Sequence, residues 1–294
     1  YTPDSRKPEV AFSTDIEADL SRRDFTINAM ALDVTGVAAR GGAGDDGDNG
    51  AAAELIDPFG GTADLAAKVL RTPLSPEESF SDDPLRMLRA ARFVGRFDLT
   101  AAPEVVAAIE SMGERLSIVS AERIRDELCR LVVIDDPKPG LWFLVDTHLA
   151  DHFLPELPEM RVSQDPIHRH KDVLAHSIAV VDNTSADLVL RLAALFHDVG
   201  KPATFEIGAK GVSFHHHEVV GARMTRKRMK ALKFSNEMID DVSQLVFLHL
   251  RFHGYGDDKW TDAAVRRYVR DAGHLLEKLN DVGLVRTIEN RGRD

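Results

Sequence analysis

The 294-residue chain has a single cysteine, no long apolar run and no excess of positive charge. A lone Cys129 excludes an internal disulfide and a thiolate zinc cluster and fits a reducing compartment, with helix packing as its expected role. No stretch reaches the roughly 18 apolar residues that a bilayer span needs, and no signal-peptide pattern is present, so the expectation is a cytoplasmic protein with no membrane partner. A net charge of −11 argues against a surface coated for nonspecific nucleic-acid binding, although it leaves room for a local basic track. Methionine is missing from the first position. Tyr1 stands in what reads as a polar loop, and a fragment or processed form is expected. What is present, 44% hydrophobic and 29% charged residues, fits a soluble globular protein of two or three domains.

The second half is organised around Leu192-Ala-Ala-Leu-Phe-His-Asp-Val-Gly-Lys201. Adjacent His197 and Asp198 can reach one cation where a helix ends, and Gly200 stands where a left-handed cap residue is wanted. His176 lies one predicted helix upstream, His217 one segment downstream and His249 one helix further on. Imidazoles with a carboxylate suit Zn, Mn, Fe or Ni and leave positions for water and a phosphate oxygen. Lys201 could stabilise developing charge. His148, His152, His170 and His274 are read as ordinary surface or core residues. The order His, His-Asp-x-Gly-Lys, His-Glu resembles the HD superfamily of metal-dependent phosphohydrolases.

The first half carries a different chemistry. In Arg22-Arg-Asp-Phe-Thr-Ile-Asn-Ala-Met-Ala31 two arginines offer charge for phosphate beside groups able to hydrogen-bond a ribose, although Arg-Asp pairs at strand entries are often structural. Ser21 is expected to cap a turn entering a strand from about Ala29 to Val34. Ala38 to Ala53 reads as a flexible loop, Asp57-Pro and Gly60-Gly as tight turns, and Val69 to Thr72 as a strand. Phe80-Ser-Asp-Asp-Pro-Leu-Arg-Met-Leu-Arg89 opens a helix. Asp83 is either no more than its N-cap or, with Arg86 and Arg89 at three-residue steps, an acceptor beside donor forks that mimics a base edge. Val105–Met112 and Ser120–Val132 read as amphipathic helices, Pro137 to Gly140 as a break, and Phe153 to Pro158 as a linker.

The spelling of these stretches resembles four motifs, in order, of the bacterial-type tRNA nucleotidyltransferases (CCA-adding enzymes) and their relatives the bacterial poly(A) polymerases. The match runs from Val10 to about Leu279, closest to actinobacterial members over Asp187 to Tyr268. It implies ribose and nucleotide contacts for Arg22, Arg23, Asp24, Thr26 and Asn28. It also implies reading of the incoming cytosine or adenine by Asp83 and Arg86, with Arg89 beside them and a neck helix over Ser120–Val132. Asp82 replaces the usual glutamate. The implied partners are tRNA, CTP and ATP, and the implied cofactors Mg2+ for transfer and a transition metal in the HD site. The paired carboxylates that would hold Mg2+ have no match here and are expected ahead of Tyr1; the tail from Val282 also departs from the family.

The expected fold is α+β: a palm remnant with a mixed sheet over residues 1–75, an all-α head and neck over 76–165, and an all-α HD domain over 166–294. Arg223, Arg226, Lys227 and Lys230 share one helical face, either a solvated face or an RNA contact. A CCA-adding enzyme with a phosphohydrolase domain is the leading reading. A poly(A) polymerase or an HD phosphohydrolase with an RNA-binding remnant are the rivals.

Overall fold

The computed structural model describes residues 15–34, 53–162, 172–208, 211–252 and 262–276. The strand expected at 10–13, nearly all of the loop from Ala38 to Ala53, His170 and the tail from Val282 lie outside them.

The first portion is small. Helix α1 (Ile16–Ser21) is capped by Asp15, whose side chain accepts from Glu17 N. Ser21 therefore ends a helix, where its hydroxyl donates to Ala18 O, and caps nothing. Strand β1 (Ala31–Asp33) pairs antiparallel with β2 (Glu54–Ile56), placing Leu32 opposite Leu55. The strand is shorter than the apolar run, because Ala29 packs into the core behind a 3-10 turn, Thr26–Asn28. Helix α2 (Gly61–Ala67) starts after Gly60, whose φ of +73° is a left-handed conformation that suits glycine. Asp57 accepts from Gly61 N, Thr62 N and Thr62 Oγ1 at 2.7, 2.8 and 2.6 Å. Burial pushes its carboxyl up, but the bonds from Thr62, Gly61 and Gly60 hold it below the ordinary value.

The middle portion is helical. Ser75 caps α3 (Pro76–Asp82), which stops at Asp83. Helix α4 (Leu85–Phe97) follows at once, with Asp83 Oδ1 accepting from Leu85 N at 3.2 Å, so Asp83 does a cap's work from one residue outside the expected position. Two-residue strands β3 (Val69–Leu70) and β4 (Thr100–Ala101) pair in parallel, tying the first portion to the second and adding a strand pair to a region expected to be all-α. Next come α5 (Pro103–Met112), α6 (Ala121–Val132) capped by Ser120, α7 (Lys138–Asp146) and α8 (Glu156–Glu159).

Two breaks expected from proline and glycine are absent. Pro137 opens α7, where a missing N–H costs nothing, and Gly140 lies inside it. A Cβ on Gly140 would stand 2.5 Å from both Ala91 O and Leu131 Cδ1, so glycine serves close approach of α7 to α4 and α6. The segment read as a linker is core, with Phe153, Leu154 and Leu157 buried. Between α4 and α6 lies Glu127, 3% exposed and 2.8 Å from both Arg92 Nε and Arg130 Nη1. The carboxylate is paired, as a buried charge must be.

The last portion contains α9 (Val173–Asn183), α10 (Leu188–Phe196), a hairpin of β5 (Phe205–Gly208) and β6 (Gly211–Phe214), then α11 (His217–Ala231), α12 (Asn236–Leu248) and α13 (Asp262–Ala272). The hairpin departs from the all-helical expectation. Arg191 of α10 is buried and donates to Thr184 O and Val132 O at 2.8 Å, Ile134 O at 3.0 Å and Ser185 O at 3.3 Å, so it caps the orphan carbonyls at the end of α6. No helix of the described residues is long and apolar enough to cross a membrane.

Two outcomes follow from this packing. Gly140→Ala overpacks the α4–α7 contact and is expected to destabilise the chain by about 1–3 kcal/mol, read as a lower urea midpoint at unchanged slope. Burial pushes the Cys129 thiol up to about 11. The native protein at pH 8 is therefore expected to react with iodoacetamide far more slowly than the urea-unfolded chain, and equal rates would contradict the packing role.

Candidate functional site

Seven of the eight residues expected to meet a nucleotide line one cavity of about 360 Å3: Arg22, Arg23, Asp24, Asn28, Asp83, Arg86 and Arg89. It opens between the turn after α1 and the start of α4. Asp24, 7% exposed, accepts from Asn28 Nδ2 at 3.1 Å and Phe25 N at 3.0 Å through Oδ1. Its Oδ2 takes the fork of Arg89, Nε at 2.8 Å and Nη2 at 2.5 Å. Arg89 is thus committed to Asp24, with Glu127 3.8 Å behind it. Arg86 donates through Nη1 to Ser79 O and Oγ, at 3.2 and 2.9 Å, and through Nη2 to the carbonyl of Arg22. Arg23 pairs at 3.2 Å with Asp19 on the surface.

The eighth residue lies elsewhere. Thr26 is buried, its N donates to Arg71 O at 2.9 Å and its Oγ1 to Asp64 Oδ2 at 2.8 Å, and Arg71 closes on Asp64. It holds the first portion together in place of touching a ligand. Gly61 belongs to the same packing, because a Cβ there would collide with Thr26 O.

A ninth group in the cavity escaped the sequence reading. Arg123, on the first turn of α6, reaches Asp83 Oδ2 with Nη2 at 2.7 Å. In sequence it looks like any charge on an amphipathic helix, and nothing links it to an aspartate 40 residues earlier.

The second site is built around Asp198. His197 ends α10, His176 comes from α9, His217 opens α11 and His249 ends α12. His197 Nε2 is 3.0 Å and His176 Nε2 3.8 Å from Asp198 Oδ2. His217 and His249 present Nε2 at 3.5 and 3.7 Å from Oδ1. Three of the rings are set in the same way: Nδ1 of His197, His217 and His249 meets the carbonyl three residues back, Ala194, Phe214 and Val246, at 2.7, 2.8 and 2.5 Å. A carbonyl only accepts, so Nδ1 carries the proton and the Nε2 lone pair points inward, the tautomer a metal requires.

The donor set fits a cation. Nε2 of His197 and His217 and both oxygens of Asp198 are buried without an aligned hydrogen bond, and the atoms of His176, His197 and Asp198, and of Asp198, His217 and His249, each fall within 4.8 Å of one another. Burial pushes the Asp198 carboxyl up, but the charge of His197 and the imidazoles turned on it from His197, His217 and His249 hold it well below the ordinary carboxylate range. Lys201 Nζ stands 2.8 Å from Oδ2 and 5.5 Å from the ring centre of Phe214. Gly200 has no left-handed φ among the described residues. Its role is approach: a Cβ there would collide with His217 O and stand 2.7 Å from Gly221 N, so bare backbone brings α11 and its histidine up to Asp198.

Of the remaining expectations, Arg223, Arg226, Lys227 and Lys230 are all exposed on α11, with Arg226 2.6 Å from Asp240. Arg228 turns inward to Glu156 at 2.8 Å. His148 and His274 lie on the surface beside Asp151 and Asp241, and His152 is exposed. Among the described residues the groups of potential metal ligands both centre on Asp198, and none lines the arginine-rich cavity.

Three family models match the chain: a poly(A) polymerase head domain over residues 1–71, a probable RNA- and SrmB-binding site of polymerase A over 98–160, and an HD domain over 173–279. An A-adding tRNA nucleotidyltransferase of Deinococcus radiodurans is 35% identical over 285 residues, 92% of this chain and 59% of that protein. A multifunctional CCA protein of Hahella chejuensis is 38% identical over 243 residues, 77% of this chain and 52% of that protein. The chain thus spans between half and three-fifths of these relatives' length. The crystal structure of the Bacillus stearothermophilus CCA-adding enzyme in complex with CTP shares the fold, with a TM-score of 0.61 at 23% identity over 92% of this chain and 56% of that one. With head, RNA-binding and HD portions in that order, the chain belongs to the CCA-adding tRNA nucleotidyltransferase family.

Proposed function

We propose that this chain carries the nucleotide-selecting and RNA-binding parts of an enzyme that adds CCA to tRNA 3′ ends from CTP and ATP, joined to a metal-dependent phosphohydrolase domain. The cavity carries the reading, because it sets an acceptor, Asp83, beside a donor fork, Arg86, on one helix start. Cytosine and adenine both present an exocyclic amine next to a ring acceptor, whereas uracil and guanine reverse that pattern. A carboxylate and a guanidinium match the first pair and oppose the second. Arg22 and Arg23 supply charge for phosphates at the rim, and Asn28, held by Asp24, faces the sugar. Residues 1–75 serve as the palm remnant, 76–165 as head and neck, and 166–294 as the HD domain, with tRNA along Arg223, Arg226, Lys227 and Lys230. A cytoplasmic location is part of this reading. The Mg2+ that transfer requires finds no carboxylate set in the cavity, where Asp24 is taken by Arg89 and Asp83 by Arg123, so no step is derived through it.

In the HD portion Asp198 and the four histidines would hold Zn, Mn, Fe or Ni. A bound ion supplies Lewis acidity that activates water for attack at phosphorus. The chain's own contribution is the locked tautomers of His197, His217 and His249 and the ammonium of Lys201, placed to meet a phosphate oxygen.

A second reading has its own support. The Deinococcus radiodurans relative, similar over nearly the whole chain, is an A-adding enzyme, and such an enzyme would complete tRNAs that already end in CC.

Incorporation of labelled CTP and ATP into a tRNA lacking its 3′ end, measured on a protein spanning the relatives' full length, is expected to yield two C and one A in order. Asp83→Ala is expected to lower base discrimination on the order of 10–100-fold. ATP addition confined to tRNAs ending in CC would establish the A-adding reading, and unlimited ATP tailing would make the protein a poly(A) polymerase. No incorporation at all, with metal-dependent phosphate release lost in Asp198→Ala, would leave the HD domain as the working part.

The metal centre has a separate check. Titrating Zn, Mn, Fe or Ni into the metal-stripped chain is expected to raise its melting temperature, by the equivalent of about 2.7 kcal/mol at a hundred times the dissociation constant. Asp198→Ala is expected to abolish the rise, and an unchanged rise in that variant would remove Asp198 from the ligand set.

A further inference from the structure

Asp83 can read a base only if its carboxylate is held in one orientation, and its own helix does not hold it. Its Oδ1 takes one bond, from Leu85 N at 3.2 Å, the long end of the hydrogen-bond range. Arg86, the neighbour expected to pair with it, is directed to Ser79 and to the carbonyl of Arg22. The contact that fixes the second oxygen comes from another element: Arg123 Nη2, 2.7 Å from Oδ2. This is a charge-assisted bond in a cavity wall to which both residues belong.

We infer that Arg123 is a positioning residue for base selection, one that locks the Asp83 carboxylate in the rotamer that accepts the amine of cytosine or adenine. The inference rests on Asp83 reading the base. A carboxylate has about four lone-pair sites, and the two bonds described leave acceptor capacity for an incoming amine. Arg86 spends three of a guanidinium's roughly five N–H groups on Ser79 and Arg22, so donor capacity remains for the ring nitrogen beside that amine. Fixing both groups from outside the helix turn they share makes their spacing a property of two packed helices.

Arg123 is suited to this task by its own anchorage. Its N–H donates to the capping hydroxyl of Ser120 at 3.4 Å, the next residue, Ile124, is buried, and α6 is bound to α4 through Glu127. The guanidinium is a planar fork that a lysine ammonium does not reproduce, so the charge alone would hold Asp83 less well. The Asp83–Arg123 pair is also half open to solvent, with side-chain exposures of 26% and 48%, and contributes little to folding stability. Its value lies in orientation.

The test is equilibrium binding of CTP, ATP, UTP and GTP to the 294-residue chain by calorimetry, for the parent, Arg123→Met, Arg123→Lys and Asp83→Ala. The preference for CTP over UTP is expected to fall about tenfold in Arg123→Met and by less in Arg123→Lys, with the melting temperature near the parent's. A preference unchanged in Arg123→Met but lost in Asp83→Ala would overturn the positioning role and leave the base reading standing. A preference unchanged in both, or a parent chain that binds no nucleotide, would overturn the base reading and this inference with it. Uniformly weaker binding of all four nucleotides in Arg123→Met would reassign the residue to phosphate contact and overturn the inference as well.

Discussion

A buried carboxylate, Glu127, sets the geometry of the nucleotide cavity. It is nearly sealed from water, and charge in that setting is tolerated only with close partners. Arg92 supplies one from α4 and Arg130 another from its own helix, so the ion pairs staple α4 to α6. Arg89 stands on its far side and carries the effect forward, its fork closing on Asp24, which in turn holds Asn28. Residues far apart in sequence are thereby brought to one wall by a chain of alternating charges. Removing a middle member would strand its neighbours, which is why the cavity is best regarded as one unit.

The metal site solves a different problem. Four imidazoles from four elements have to aim the same nitrogen at one carboxylate. Three of them do so by a local rule, the ring nitrogen bonded to the carbonyl three residues back, which sets ring plane and proton together. The remaining requirement is closeness, and it is met by omission: glycines at 200 and 221 let two backbones touch.

Much of this was legible in the residues. The histidine–aspartate set could be read because each ligand sits at a helix end or opening, where the apolar period stops. The helices at Pro103–Met112 and Ala121–Val132 were legible through periodicity and a capping serine. Proline and glycine misled where they served packing. Gly140 and Gly200 were read for their backbone freedom, and both are needed for the volume they do not occupy. Thr26 sits among the cavity residues in sequence but faces inward, because the turn Thr26–Asn28 rotates it towards Asp64. Arg123 could not be found, since its partner lies 40 residues away and helical periodicity carries no information about what an exposed side chain meets across a gap.

Arg191 deserves a last consideration as a mechanical part. One guanidinium gathers the carbonyls of Val132 and Ile134 at the end of the neck helix and those of Thr184 and Ser185 ahead of its own helix. Moving the histidine-bearing half away from the neck at this point would strip four buried acceptors from one cation. The junction therefore behaves as a weld and not as a hinge. An RNA that touches both halves meets a ruler of set length, and any motion that feeds a growing 3′ end past the cavity has to be borne by the nucleic acid or by other parts of the chain.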